Sequence, residues 1–267
     1  MYKFVISMKF ISFKIDNKQK LGVLNNEEII EINCSMIEAI KIPFDELKIL
    51  KPYKLQDVTL DVPVLPSKIV CVGLNYTNHA KELGMDLPEE PIIFIKPPSA
   101  VIGHLDNIVY PKYSTQVDYE TELGIVISKE AHHVRSENAG EFIGGYTVIN
   151  DVTARDKQRK DIQWTRAKSF DTFAPIGPCI ETELNPMNQK ISLMLNNVLK
   201  QNSNTKNMIF DVYELIEFIS EVMTLKPGDI IATGTPPGVG PMKVGDIVEA
   251  KVEGIGILKN FLEYQNE

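Results

Sequence analysis

The stretch Gln116-Val-Asp-Tyr-Glu-Thr-Glu-Leu-Gly-Ile-Val-Ile-Ser128 places acids where a core strand begins. Leu123 to Ile127 reads as a buried strand rich in β-branched residues, and Asp118, Glu120 and Glu122 run straight into it at alternate positions. Alternate residues of a strand share a face, so Glu120 and Glu122 point the same way, with Cα atoms roughly 6.5–7 Å apart. Thr121, Leu123 and Ile125 take the other face. Two carboxylates at the edge of a core repel each other, and burying either costs several kcal/mol without a compensating charge. The stretch itself holds no Lys or Arg. A hard cation bound through oxygen is the economical account. A bare Glu-x-Glu more commonly lies on a solvated edge strand, so the rest of the chain has to decide.

With 267 residues the chain can bury one sizeable core, or a large domain with a small appendage. A formal charge of −8 at pH 7 and the lack of any basic stripe argue against a nucleic-acid partner. No apolar run approaches the ~18–20 residues of a membrane span, so no membrane partner is expected. Cys34, Cys71 and Cys179 are odd in number, far apart and outside any Cys-x-x-Cys pair. That pattern suits reduced thiols in the cytoplasm and offers neither a disulfide framework nor a zinc site.

The opening MYKFVISMKFISFKID is interrupted by Lys9 and Lys14 and is followed by no small-residue cleavage site, so it reads as a strand and not an export signal. Met8 is a second candidate start, and residues 1–7 are expected to be an over-extended beginning. Residues 1–62 read as a small N-terminal domain: an alternating strand, a turn at Asn25-Asn26, a strand over 28–32 and a helical piece over 36–40. Two prolines in 61–67 force an extended linker. Residues 66–267 read as a second, larger domain. Strands are expected over 68–73, 92–96, 144–150, 191–198, 246–253 and 256–260, with an amphipathic helix over 212–223. Asn78 is expected to cap a helical turn. Gly84 and the acidic, proline-bearing 85–91 have the composition of a mobile lid. Strands dominate without regular βαβ alternation, which indicates α+β with a mixed or antiparallel sheet.

Asp151 ends the apolar strand over 144–150, where it either caps the following turn or projects a carboxylate into a cleft. With Glu120 and Glu122 it makes three oxygen donors, a set suited to Mg²⁺ or Mn²⁺. His79 and Glu82 stand three apart, so on a helix they touch, and the carboxylate can orient the ring for proton transfer. The pair His132-His133 sits in a polar turn and is read as surface. Lys168 is either a solvated charge or a cation aimed at an oxyanion. The loop over 233–240 lacks the Gly-Lys-Ser/Thr of a phosphate-binding loop; it is a tight turn, or a backbone cradle for a substrate carboxylate.

Four blocks occur in order: Val-Gly-Leu-Asn-Tyr-Thr-Asn-His-Ala-Lys-Glu, Asp-Tyr-Glu-Thr-Glu-Leu, Asn-Asp-Val-Thr-Ala-Arg-Asp with Ala-Lys-Ser-Phe-Asp-Thr, and Thr-Gly-Thr-Pro-Pro-Gly-Val-Gly. Together they resemble the fumarylacetoacetate hydrolase superfamily over roughly residues 66–260. The resemblance marks the larger domain, residues 66–267, as the catalytic one and implies a mixed β-roll core of α+β class with a small N-terminal α/β appendage, generally dimeric. It implies that Glu120, Glu122 and Asp151 bind a divalent cation, usually Mg²⁺, with Mn²⁺ or Ca²⁺ as alternatives. It further implies a His79–Glu82 dyad on a lid, Lys168 as oxyanion partner and Thr235 against a substrate carboxylate. Asn75, Gln158 and Thr172 are weaker carry-overs around the cleft.

The expected activity is metal-dependent cleavage of a C–C bond in small 2-oxo acids such as acylpyruvates. The same site suits a 2-hydroxyhepta-2,4-diene-1,7-dioate isomerase/decarboxylase, or an oxaloacetate decarboxylase or tautomerase, because the fold does not choose among reactions. Some acylpyruvate-cleaving relatives carry Arg where this chain has Leu74, which weighs toward those alternatives. A homologue that only binds metal and ligand is the reading from a different class.

Overall fold

The computed structural model describes residues 8–265. The expectation about residues 1–7 lies outside them. The acidic stretch forms a short strand, Val117–Tyr119, and after Glu120 the strand Thr121–Ile127, all of whose residues are buried. Such a strand reads as a continuous apolar run because both of its faces are covered. Leu123, Ile125 and Ile127 enter a core shared with Ile191, Leu193, Val248, Ala250 and the helix Val212–Val222. Val126 faces the opposite core beside Cys71, Ile149 and Ala232. Alternation places Glu122 on the Val126 side.

The large sheet has twelve strands, ten of them in the order Ile49–Lys54, Glu28–Ile32, Lys18–Asn25, Lys9–Ile15, Ala174–Glu181, Ile143–Asn150, Thr121–Ile127, Ile230–Ala232, Ile69–Val72, Ile93–Lys96. Most neighbours are antiparallel. Ile230–Ala232 beside Ile69–Val72 is parallel, as is Val101–Ile102 beside Ala174–Glu181, so the sheet is mixed. A second, five-stranded sheet ends with Asn107–Tyr110 parallel to Gly256–Tyr264. The chain is α+β, dominated by mixed sheets that stay open among the described residues. The strands before residue 62 surround a small cluster of Phe10, Val23, Ile32, Ala39 and Leu47. They continue the large sheet through the rungs Lys9↔Glu181 and Phe10↔Ile180. Among the described residues no helix is long and apolar enough to cross a membrane.

Two local expectations need correction. The apolar run over 191–198 is not one strand: Asn196 and Asn197 take φ of 51° and 63° and form a two-residue turn between Lys190–Leu195 and Val198–Asn204. Asn tolerates left-handed backbone at modest cost, so it breaks a strand that hydropathy alone would continue. Asn78 does not cap its helix. The helix Thr77–Leu83 starts from Tyr76, two residues before Asn78, without a side-chain cap. The helix Val212–Val222, by contrast, has a complete capping box from Asp211 and Glu214.

Sheet order places the site. Thr121–Ile127 runs opposite to Ile143–Asn150 and Ile230–Ala232, and the latter runs parallel to Ile69–Val72. One end of these neighbouring strands therefore collects the start of the acidic strand and the exits of its neighbours at Asp151, Thr233 and Gly73. Further along Ile143–Asn150, Gly145 has φ of 144°, and a Cβ there would lie 2.6 Å from Ile180 Cγ2 and 2.8 Å from the Glu181 carbonyl oxygen. Gly145→Ala should therefore cost about 2–4 kcal/mol in urea unfolding, from strain and clash together. Gly245→Ala, at φ of 91° with nothing within 4 Å of the new methyl, should cost only about 1 kcal/mol of backbone strain.

Candidate active site

Glu120, Glu122 and Asp151 are buried, and each offers a carboxylate oxygen within 4.8 Å of the others. The charges that offset them come from elsewhere in the chain. Lys168 Nζ donates to Asp151 Oδ2 at 2.5 Å and to Glu120 Oε2 at 2.9 Å. Lys96 Nζ donates to Asp151 Oδ1 at 2.6 Å and to the Val152 carbonyl at 3.0 Å. Arg155 bridges Glu120 and Asp118, its Nε donating to Asp118 Oδ2 at 2.8 Å. Asp151 acts as no helix cap; the following helix, Arg155–Lys160, has no side-chain cap.

The two glutamates diverge. Burial pushes Glu120 up, but Lys168 and Arg155 outweigh it and hold the carboxyl well below the usual range. Burial pushes Glu122 up as well, and repulsion from Asp151 and Glu120 adds to it. Among the described residues Glu122 has no Lys or Arg in ion-pair contact; Gly234 N–H donates to its Oε2 at 2.8 Å. An all-oxygen donor set in which one buried carboxylate lacks a cation fits a hard divalent ion of the Mg²⁺, Mn²⁺ or Ca²⁺ kind.

The helix Thr77–Leu83 brings His79 to the same cavity, of about 550 Å³, that Glu120 and Asp151 line. His79 is 8% exposed, and its Nδ1 lies 2.9 Å from Glu82 Oε2. Gly238 N–H, in the glycine-proline loop, reaches Glu82 at 3.3 Å, tying that loop to the helix. Lys168, Gln158 and Thr235 also line the cavity. The Thr235 hydroxyl donates to the Thr121 carbonyl at 3.0 Å and accepts from Gln201 Nε2 at 2.8 Å. Val72, Leu74, Met85, Ile92, Phe94 and Trp164 form an apolar wall.

Asn75 and Thr172 do not line the cavity. Asn75 instead brackets two segments, donating to the Thr233 and Phe210 carbonyls at 2.7 and 3.0 Å and accepting from Phe210 N–H at 2.8 Å. Thr172, at φ of 69°, accepts from Val109 N–H at 2.8 Å. Sequence reasoning missed Lys96, Arg155 and the ion-pair role of Asp118. A lysine closing a strand just before Pro97-Pro98, and an arginine four residues after Asp151, were the signals available. His132 and His133 are exposed, and His133 Nδ1 lies 2.7 Å from Glu221.

The family model described as fumarylacetoacetate (FAA) hydrolase C-terminal matches residues 68–263. An oxaloacetate tautomerase from Bos taurus, FAHD2B, mitochondrial, is 45% identical over 217 residues, covering 76% of this chain and 69% of that protein. The crystal structure of 2-hydroxyhepta-2,4-diene-1,7-dioate isomerase from Mycobacterium marinum matches at a TM-score of 0.88 and 39% identity, covering 98% of this chain and 100% of that one. A maleylpyruvate hydrolase from Sphingobium, solved with manganese(II) and pyruvate, matches at 0.81 and 29% identity, covering 97% and 100%.

Removing the carboxylate without a cationic partner should separate stability from metal affinity. Glu122→Gln should leave the thermal midpoint of the metal-free protein unchanged or higher, while weakening Mn²⁺ binding, followed by electron paramagnetic resonance, at least about tenfold. Wild-type affinity in the variant would contradict the ligand assignment.

Proposed function

The chain belongs to the fumarylacetoacetate hydrolase family, and we propose that it is a divalent-metal-dependent enzyme that moves a proton on the carbon beside the 2-oxo group of small 2-oxo acids. The observation that carries this reading is one cavity lined by Glu120, Asp151 and His79, with a Glu122 carboxylate oxygen within 4.8 Å of those of Glu120 and Asp151 and Glu82 hydrogen-bonded to the His79 ring. Glu120, Glu122 and Asp151 would hold the ion. A bound divalent ion supplies Lewis acidity that polarises the 2-oxo group and offsets enolate charge. With Nδ1 committed to Glu82, His79 keeps Nε2 to take a proton from the substrate carbon or return it. Glu82, anchored by Gly238 N–H, fixes the ring.

Lys168 favours proton transfer over hydrolysis. A hydrolase of acylpyruvates needs a donor for the tetrahedral oxyanion, whereas two of this ammonium's three donors are committed to carboxylates. The Phe94 ring lies 4.9 Å away. We assign Lys168 to neutralising and orienting Glu120 and Asp151. The apolar Leu74 in the cavity wall and the 45% identity to an oxaloacetate tautomerase support the same choice. C–C hydrolysis is the second reading, favoured by the likeness to the maleylpyruvate hydrolase.

Ketonisation of enol-oxaloacetate, followed by loss of its ultraviolet absorbance, tests the proposal beside pyruvate release from acetylpyruvate. The proposal predicts Mg²⁺-dependent, EDTA-sensitive acceleration of ketonisation that falls about 10²- to 10⁴-fold in His79→Ala. Pyruvate release without accelerated ketonisation would select hydrolysis, and inactivity on both would favour a protein that only binds.

A further inference from the structure

The basic residues around the helices Arg155–Lys160 and Thr165–Lys168 are mostly spoken for. Arg155, Lys157, Arg166 and Lys168 each pair with a carboxylate. Among the described residues Arg159 forms no such pair, and it lines the cavity. Its one side-chain hydrogen bond to a side chain among the described residues runs from Nη1 to Gln116 Oε1 at 3.2 Å.

That contact is directed. Asp118 accepts from Gln116 Nε2 at 3.0 and 3.2 Å, which fixes the amide and turns its carbonyl oxygen toward Arg159. Asp118 is in turn held by Arg155, which also grips Glu120. An ordered relay thus runs from the buried triad through Arg155, Asp118 and Gln116 to an exposed guanidinium at the cavity wall. A guanidinium held by a neutral amide keeps its full charge and most of its donors, in the planar fork that matches a carboxylate.

We propose that Arg159 is a specificity-determining residue that binds a second, distal carboxylate, so that the cavity prefers 2-oxo diacids to the corresponding monoacids. This rests on the 2-oxo acid reading above, with the 2-oxo end of the substrate at the triad. Gln116 and Asp118 position the guanidinium, and Gln158, on the same wall, is held by Arg155.

The test needs no turnover. Affinities of Mn²⁺-loaded wild type and Arg159→Ala are measured by calorimetry for oxaloacetate, 2-oxoglutarate and 2-oxoadipate. Each diacid is paired with the monoacid carrying a methyl in place of the distal carboxylate. The expected result is a wild-type preference for at least one diacid over its partner that falls about 10- to 100-fold in Arg159→Ala, the span of a hydrogen bond to a charged group, and is partly retained in Arg159→Lys. Binding of both classes with the same preference in wild type and Arg159→Ala overturns the Arg159 assignment alone. Failure of the wild type to bind any of these acids overturns the parent reading and this one with it.

Discussion

Four carboxylates, from Asp118, Glu120, Glu122 and Asp151, are at least nine-tenths buried where the strand ends converge, and Lys96, Lys168 and Arg155 are what make that burial tolerable. An uncompensated buried charge costs several kcal/mol, a large share of the stability of a typical domain. The lysines do not share the load evenly. Both reach Asp151 and one reaches Glu120, while Glu122 is left with a backbone N–H. The asymmetry separates the two glutamates in acidity and leaves the deficit at the position where a divalent ion would sit.

Topology turns this electrostatic problem into a site. The strand that begins at Thr121 faces the exits of its neighbours, so residues from four separate segments meet although each is local to its own strand end. Rigid, buried strands hold the triad, whereas His79 arrives on a helix of seven residues bordered by the exposed stretch that includes Met85 and Leu87. The bond from Gly238 N–H to Glu82 ties that helix to the glycine-proline loop. A charge cluster set in the sheet and a proton-transfer group on a separable element is a division suited to admitting a substrate before the proton moves.

Much of this was legible before the fold was known. Strand alternation alone put Glu120 and Glu122 on one face, and a carboxylate at the end of an apolar strand singled out Asp151. The His79–Glu82 contact followed from helical spacing. Of the cations only Lys168 was legible; Lys96 and Arg155 were not, because their partners are remote: Lys96 meets Asp151 across 55 positions, and Arg155 meets Asp118 across 37. Sequence periodicity describes one element at a time and says nothing about which strand ends converge. The turn at Asn196-Asn197 was written in the sequence, but the apolar residues on both sides masked it. Asn75 illustrates another limit: a polar residue inside a characteristic block can serve as a bracket between segments, and only its partners reveal this.

We propose that the buried acids form a metal centre and not a self-sufficient ion-pair network. Diffraction from crystals grown with Mn²⁺, with data collected at the manganese absorption edge, tests it most directly. A metal centre predicts one anomalous peak per chain at ligand distance from Glu120, Glu122 and Asp151. No peak there at saturating Mn²⁺, with Lys96 and Lys168 still paired to Asp151, would contradict it.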